Sequence, residues 1–210
     1  MKNLQKLLFV IMMLTIATAS SAQTFGVKAA LNFATMTVKD NDETYSDVYT
    51  MRPGFQIGAT AEMPIAKKLS FETGLLLSSK GFKYDFQDVK SKMSLLYAEI
   101  PLTLKVSFPI NAVGSLYGVF GPFIGIGLTG KTKGETETTD VSWGNDKEKN
   151  DLKRLDFGLT VAFGGEIKSM ITYGMFGSFG LANISPNTDN GSKISNRVVG
   201  IFMGYKFGKK

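Results

Sequence analysis

Residues 96–108, LYAEIPLTLKVSF, alternate strictly between two kinds of side chain. Every second residue from Leu96 to Phe108 is apolar, whereas the residues between them, from Tyr97 to Ser107, are mostly polar or charged. Side chains that point to one face of a β-strand recur with this period of two. The stretch therefore predicts a strand that is apolar along the whole of one face.

The same period recurs through most of the chain, and helical periodicity is missing throughout. It predicts eight strands, at residues 24–37, 53–64, 69–84, 95–108, 115–130, 154–167, 171–185 and 197–208. Polar or turn-forming segments separate these strands. The predicted fold class is all-β, an eight-stranded antiparallel up-and-down transmembrane β-barrel that occupies residues 23–210 as one domain.

The predicted connections alternate in length along the chain. The short ones are residues 65–68, 109–114 and 168–170, and the long ones are residues 38–52, 85–94, 131–153 and 186–196. Short periplasmic turns and longer outer loops are typical of outer-membrane barrels. The face opposite the apolar one carries small residues and occasional charges, which suits a narrow lumen. A soluble exported β-barrel binding module remains the alternative.

Residues 1–22 resemble a secretory leader. Lys2 and Lys6 give a positive start, residues 7–17 form an apolar run of 11 residues, and Ser20, Ser21 and Ala22 are small. This order is that of a signal peptide, and the apolar run is too short for a membrane-spanning helix, which needs about 20 residues. The sequence predicts cleavage before Gln23 and a mature protein in the outer membrane of a Gram-negative bacterium.

The composition excludes several chemical functions. The chain has no Cys and no His, so it lacks thiolate ligands and the imidazole that usually activates a catalytic Ser or Asp. The acidic residues Asp140, Asp146 and Asp151 lack the regular spacing of a calcium loop. The net charge of +6 is scattered without a basic block, which does not favour nucleic-acid binding. We expect no catalysis, no cofactor, no metal and no nucleic-acid partner.

Aromatic side chains are predicted to form a girdle on the outward face, near the periplasmic ends of the strands. Trp and Tyr collect at membrane interfaces, and barrels carry aromatic belts there. Ordinary strand packing is the alternative, because aromatic residues favour strands in any case. The predicted girdle comprises Phe25, Phe71, Phe108, Phe163, Tyr173, Tyr205 and Phe207.

Charged side chains are predicted on the inward face, where they would form a lumen charge network. Its members are Lys28, Glu62, Glu72, Glu99, Lys105, Arg154, Asp156, Glu166 and Lys206. The network could be a gate for a solute or a plug of mutually neutralised side chains. An eight-stranded barrel is narrow enough for side chains to fill, which favours the plug. Glu62 and Glu72 are expected to face each other, with Lys28 or Lys105 relieving their repulsion.

Five segments are similar to successive strands of the porin-like outer-membrane β-barrel domain family of the PorT type. They are FGVKAALNFATM, LYAEIPLTLK, GPFIGIGLTGK, RLDFGLTVAFGGEI and GIFMGYKFG. The most specific resemblance is a Tyr-x-Glu-Ile-Pro-Leu pattern, present here as residues 97–102. The resemblance covers nearly the whole mature chain and implies an integral outer-membrane barrel.

The favoured function is that of a small outer-membrane barrel with a structural or surface-interaction role and a plugged lumen. A narrow channel or transporter for a small solute or apolar ligand is the alternative. Expected partners are outer-membrane lipid, the barrel-assembly machinery during biogenesis, and a surface or secretion-complex protein. The longest connection, residues 131–153, is the predicted contact loop. Its single Trp143 either anchors a partner or packs across the hairpin.

Overall fold

The computed structural model describes residues 23–40, 43–44, 49–86, 89–110 and 114–207. The predicted leader, residues 1–22, lies outside this part of the chain. No helix within the described ranges is long and apolar enough to cross a membrane.

Eleven strands are present in the described residues. They are β1 Thr24–Asp40, β2 Glu43–Thr44, β3 Tyr49–Thr50, β4 Arg52–Ala66, β5 Leu69–Phe86, β6 Val89–Pro109, β7 Gly114–Lys133, β8 Thr138–Asp140, β9 Leu155–Ile167, β10 Ile171–Gly180 and β11 Lys193–Lys206. A short 3-10 turn, Asp189–Gly191, precedes β11.

Eight of these strands close a ring. They are β1, β4, β5, β6, β7, β9, β10 and β11; each pairs antiparallel with the next, and β11 pairs with β1 from Gly26↔Lys206 to Lys39↔Lys193. The predicted up-and-down barrel is therefore confirmed. The three short strands, β2, β3 and β8, extend the sheet beyond the ring at the end that carries the longer connections. We call this the loop end, and we call the opposite end, with turns such as residues 67–68 and 168–170, the turn end.

The predicted strand boundaries were wrong at the loop end. Most of the predicted connection 85–94 is strand, because β5 and β6 remain paired up to Phe86↔Val89. The seventh strand ends at Gly180 instead of residue 185, and the last begins at Lys193 instead of residue 197. Apolar residues still alternate there, but Phe82 and Met93 pack against a cluster inside the barrel, so the outward apolar face on which the prediction was based ends below them.

The outward face of the ring is apolar. Leu31, Ile57, Leu75 and Ile201 are among its residues and are 51–64% exposed. The inward face carries polar and small side chains together with two apolar clusters.

Close strand contacts explain part of the high glycine content. Gly164 on β9 and Gly174 on β10 are cross-strand partners. A Cβ at Gly164 would collide with the carbonyl oxygen of Tyr173, and one at Gly174 with that of Phe163. Glycine at both positions lets the two backbones curve together in a small barrel.

Candidate functional site in the barrel lumen

Four charged side chains meet inside the turn end of the barrel. Lys105 on β6 places its Nζ 2.9 Å from Glu62 Oε2 on β4 and 2.7 Å from Glu166 Oε2 on β9. Lys206 on β11 reaches the same two oxygens, at 3.0 Å and 2.8 Å. These side chains are 1–14% exposed. We call them the four-charge cluster; each lysine contacts both glutamates, so the charges cancel.

A second set of ion pairs lies nearer the loop end. Lys80 on β5 places its Nζ between Glu99 on β6, at 2.5 Å, and Asp156 on β9, at 2.8 Å. Gln56 donates a hydrogen bond of 3.2 Å to Glu99, and Asn196 donates one of 2.9 Å to Asp156. We call these five residues the Lys80 layer. The three charged side chains are no more than 5% exposed, so the layer is almost dry.

Aromatic rings accompany the lumen lysines. The Lys80 Nζ lies 4.5 Å from the ring centroid of Phe123, and the Lys105 Nζ lies 4.3 Å from that of Tyr117. The Lys28 Nζ lies 4.3 Å from the Phe202 centroid. The negative face of an aromatic ring attracts a cation most strongly where water is excluded, so these rings offset part of the cost of burying the ammonium groups.

A small cavity extends between the two sets of ion pairs. Its volume is about 50 Å³, and its lining includes Lys28, Glu72, Glu99 and Lys206. Among the described residues, neither Lys28 nor Glu72 makes an ion pair. A space of this size beside charged groups holds on the order of three or four waters. The cavity is far too small for an organic solute.

An apolar cap closes the lumen above the Lys80 layer. It consists of the buried residues Met36, Leu95, Tyr97, Val141, Leu152, Ala182 and Ile184. The Trp143 ring packs against it edge-on to Tyr97, with 5.7 Å between the ring centroids. Val141, Trp143 and Leu152 all come from the segment that follows β7, so this segment folds back into the mouth of the barrel.

The arrangement places three barriers in series along the barrel axis. A solute would have to displace the apolar cap, separate the ion pairs of the Lys80 layer and then separate those of the four-charge cluster. Separating buried ion pairs leaves uncompensated charges in a medium of low polarity, which is costly. Within the described ranges, no three His, Cys, Asp or Glu side chains come together as metal ligands.

A family model for the outer membrane protein beta-barrel domain matches residues 19–209. The chain belongs to this family. It is therefore a β-barrel of the Gram-negative outer membrane, with its turn end in the periplasm, its loop end outside and its apolar outward face in lipid. No sequence match to a curated protein was found.

The solved structures to which the chain is similar include three bacterial surface or outer-membrane proteins. OprG from Pseudomonas aeruginosa is 16% identical, with 90% of this chain and 97% of that chain covered and a TM-score of 0.49. Neisserial surface protein A is 12% identical, with 87% and 97% covered and a TM-score of 0.43. Ail from Yersinia pestis is 14% identical, with 89% and 99% covered and a TM-score of 0.41.

Most residues of the predicted lumen network lie inside this outer-membrane barrel. Glu62 and Glu72 are cross-strand partners, as expected. Lys105 pairs with Glu62, whereas Lys28 and Glu72 stay outside the four-charge cluster.

Arg154 was wrongly assigned to the lumen. It precedes β9, is exposed, and donates a hydrogen bond of 3.0 Å to the carbonyl oxygen of Gly127 at the mouth. The chain turns into β9 only at Leu155, so the alternation that places Asp156 inside does not extend back to Arg154.

Sequence reasoning missed Lys80, the single cation of the Lys80 layer. The signal was present, because Lys80 lies eight positions after Glu72 on the same predicted strand and so shares its face. It was overlooked because the surrounding residues, Ser78, Ser79 and Gly81, interrupt the apolar alternation.

The predicted aromatic residues lie on the outward face with one difference in exposure. Phe25, Phe108, Phe163, Tyr173, Tyr205 and Phe207 are 40–61% exposed. Phe71 is less exposed than these six, and it pairs across strands with Met63 and Leu104. Four further outward phenylalanines, which the prediction omitted, lie towards the loop end: Phe33, Phe55, Phe157 and Phe179.

Trp143 packs against the barrel mouth. A Cβ at Gly127 would collide with the Trp143 ring, so the absence of a side chain on β7 creates the space that the indole occupies. The Arg154 guanidinium lies 5.9 Å from the indole centroid. Of the two alternatives for Trp143, this geometry agrees with packing rather than with a free contact residue.

Proposed function

We propose that this outer-membrane barrel has a structural or surface-interaction role, that its lumen conducts nothing, and that it performs no catalysis. The observation that carries the proposal is the Lys80 layer. Its carboxylates and ammonium group are no more than 5% exposed and are bonded to each other across the lumen. A permeation path needs groups that solvate a passing solute, whereas these groups solvate one another.

Planar-bilayer recording tests the closed lumen. The purified protein is expected to insert without a sustained conductance. A variant that lacks one of the three barriers, Lys80→Gly with Glu99→Gly and Asp156→Gly, should also stay closed, because the apolar cap and the four-charge cluster remain. Sustained openings of the unaltered protein would overturn the proposal, and heat-dependent electrophoretic migration identifies folded protein in both samples.

A narrow channel is the second candidate, and the cavity of about 50 Å³ between the two ion-pair sets supports it. Such a channel would carry water or a proton, because nothing larger fits. Stopped-flow shrinkage of vesicles that contain the protein distinguishes the candidates. A water permeability above that of protein-free vesicles favours the channel, and equal permeabilities favour the closed barrel.

For the surface-interaction role, we propose that a partner binds the exposed tip of the segment after β7. Residues 145–149 are exposed, whereas Val141 and Leu152 at its base are buried in the apolar cap. Replacing residues 145–150 by Gly-Gly therefore removes the tip and leaves the cap. Photo-crosslinking from the tip should recover a surface or secretion-complex protein, and the shortened variant should lose it while migrating as a folded barrel. A shortened variant that keeps the partner contradicts this placement.

Within the outer-membrane β-barrel family, we assign this chain to the PorT type. The Tyr-x-Glu-Ile-Pro-Leu pattern of residues 97–102 supports it, and here Tyr97 and Glu99 belong to the cap and the Lys80 layer. The proposal also includes an N-terminal signal peptide that is removed before Gln23, followed by insertion through the barrel-assembly machinery. Intact mass of the protein extracted from outer membranes checks the cleavage, since retention of Met1 contradicts it.

A further inference from the structure

At the loop end, the ring strands β5, β6 and β7 extend beyond the ring and pair with the short strands β3 and β8. Together these five strands place a row of residues in register. Thr50 on β3 pairs with Lys83 on β5, and Lys83 pairs with Lys92 on β6. Lys92 pairs with Lys133 on β7, and Lys133 pairs with Thr138 on β8. Directly paired residues point to the same face of a sheet. Three lysines therefore stand side by side, flanked by two threonines, and we call them the lysine row.

The lysine row faces away from the barrel axis. The neighbouring residues on the same strands point the other way: Phe82 and Met93 pack against the apolar cap, and the Tyr49 ring lies 4.7 Å from that of Phe82. The alternation of side chains then directs Lys83, Lys92 and Lys133 outward, and all three are exposed. The row therefore lies on the same face that contacts lipid lower on these strands.

The height of the row matches the headgroup region of the outer leaflet. The last exposed apolar residues below it are Leu77 on β5 and Leu128 on β7. Lys83 lies six positions after Leu77, and Lys133 lies five after Leu128. These spacings correspond to about 16–20 Å along the strand and to about 12–16 Å along the membrane normal at the usual strand tilt. Long lysine side chains extend towards an interface, so their ammonium groups reach the headgroups from this position.

The row of like charges favours an anionic ligand. Like charges directly opposite each other destabilise a sheet, yet Lys92 has a lysine on both sides. Within the part of the chain that the structure describes, Lys83, Lys92 and Lys133 make no ion pair. A groove of about 470 Å³ runs along them, lined also by Thr50, Ser91 and Glu135. Hydroxyl and ammonium donors beside an open groove suit phosphate oxygens.

We propose that the lysine row binds the phosphate groups of phosphorylated glycolipids in the outer leaflet. A membrane lipid fits better than a soluble polyanion because the row points sideways, above the apolar outward face, and not upward from the mouth. Two more outward lysines, Lys90 and Lys131, lie beside the row on the same strands. They widen the basic surface, although the Lys131 Nζ also lies 4.0 Å from Asp140 Oδ1.

Native mass spectrometry tests the site on the intact protein in detergent micelles with bisphosphorylated lipid A. The test variant is K83Q/K92Q/K133Q. The matched control is K147Q/K149Q/K153Q, which removes the same charge at the same end of the barrel but above the mouth, where Lys147 pairs with Asp189 of the next loop. Each basic residue near an anionic surface contributes about fivefold in affinity, so the test variant should bind lipid A on the order of a hundredfold more weakly.

Three further comparisons make the result decisive. The charge-retaining variant K83R/K92R/K133R should bind as the unaltered protein does, and dephosphorylated lipid A should bind weakly to every variant. The proposal is overturned if the test variant, migrating as a folded barrel, retains lipid A, or if the control loses it equally. It is also overturned if a soluble sulfated oligosaccharide binds the row while lipid A does not.

Discussion

The lysines of the lumen and those of the lysine row meet opposite conditions. Lys80, Lys105 and Lys206 are 1–13% exposed, and each has two carboxylate partners within 3.0 Å. Lys83 and Lys92 are exposed and have each other as cross-strand neighbours. A buried charge without a partner is costly, whereas water and salt screen charges at the surface. Of these two sets, the buried lysines therefore have carboxylate partners and the exposed ones do not.

A second contrast separates the two sets of ion pairs. In the four-charge cluster two lysines share two glutamates, so one cation remains if the other is removed. In the Lys80 layer a single cation serves Glu99 and Asp156. The layer nearer the outer surface therefore depends on one residue, and the periplasmic cluster does not.

Substitution of Lys80 is expected to have the largest effect. Lys80→Ala leaves two carboxylates in a dry layer without a cation, and losing one partner of a buried pair costs about 3–5 kcal/mol. Urea titration in detergent micelles, followed by loss of heat-resistant migration, measures the change in unfolding free energy. The control Lys80→Met/Glu99→Gln/Asp156→Asn removes all three charges and should recover most of the stability. A Lys80→Ala barrel as stable as the unaltered protein would mean that water reaches Glu99 and Asp156.

Substitution of Lys105 is expected to cost less, about 2–3 kcal/mol, because Lys206 still contacts both glutamates. Lys206→Ala should cost no more than Lys105→Ala. The double variant should lose more than the sum of the two single variants, since only then do Glu62 and Glu166 lack a cation. The same urea titration gives this coupling. Simple additivity would show that each lysine acts alone and would remove the contrast with the Lys80 layer.

Sequence patterns predicted the barrel well because a lipid-facing strand has one uniform face. The alternation from Leu96 to Phe108 lies wholly in β6, and the ring of eight strands follows from its repetition. The same signal fails at the loop end, where Lys83 and Lys92 continue strands that lipid does not surround.

The partners of the lumen charges could be predicted only in part. The alternation of side chains along each strand places Glu62, Lys105 and Glu166 inside. Which of these charges meet depends on the stagger between strands that are far apart in sequence. Lys80 reaches Asp156 across the lumen from β5 to β9, a contact that neither local pattern nor neighbouring strand order contains. Trp143 likewise depends on a space above Gly127 that becomes visible only when the segment after β7 folds back.

Substitution in the lysine row is expected to have the smallest effect on stability and the opposite sign. Lys92→Gln removes the central charge and relieves its repulsion with Lys83 and Lys133, so in micelles without phosphorylated lipid the barrel should be as stable as before or slightly more so. Any gain should vanish at 1 M salt, because the Debye length then falls to about 3 Å, shorter than the spacing of paired side chains. Urea titrations of this variant and of Lys105→Ala, each at low and high salt, measure both effects. A loss for Lys92→Gln as large as that for Lys105→Ala would show that the row is paired within the protein, and the distinction between buried and exposed lysines would no longer hold.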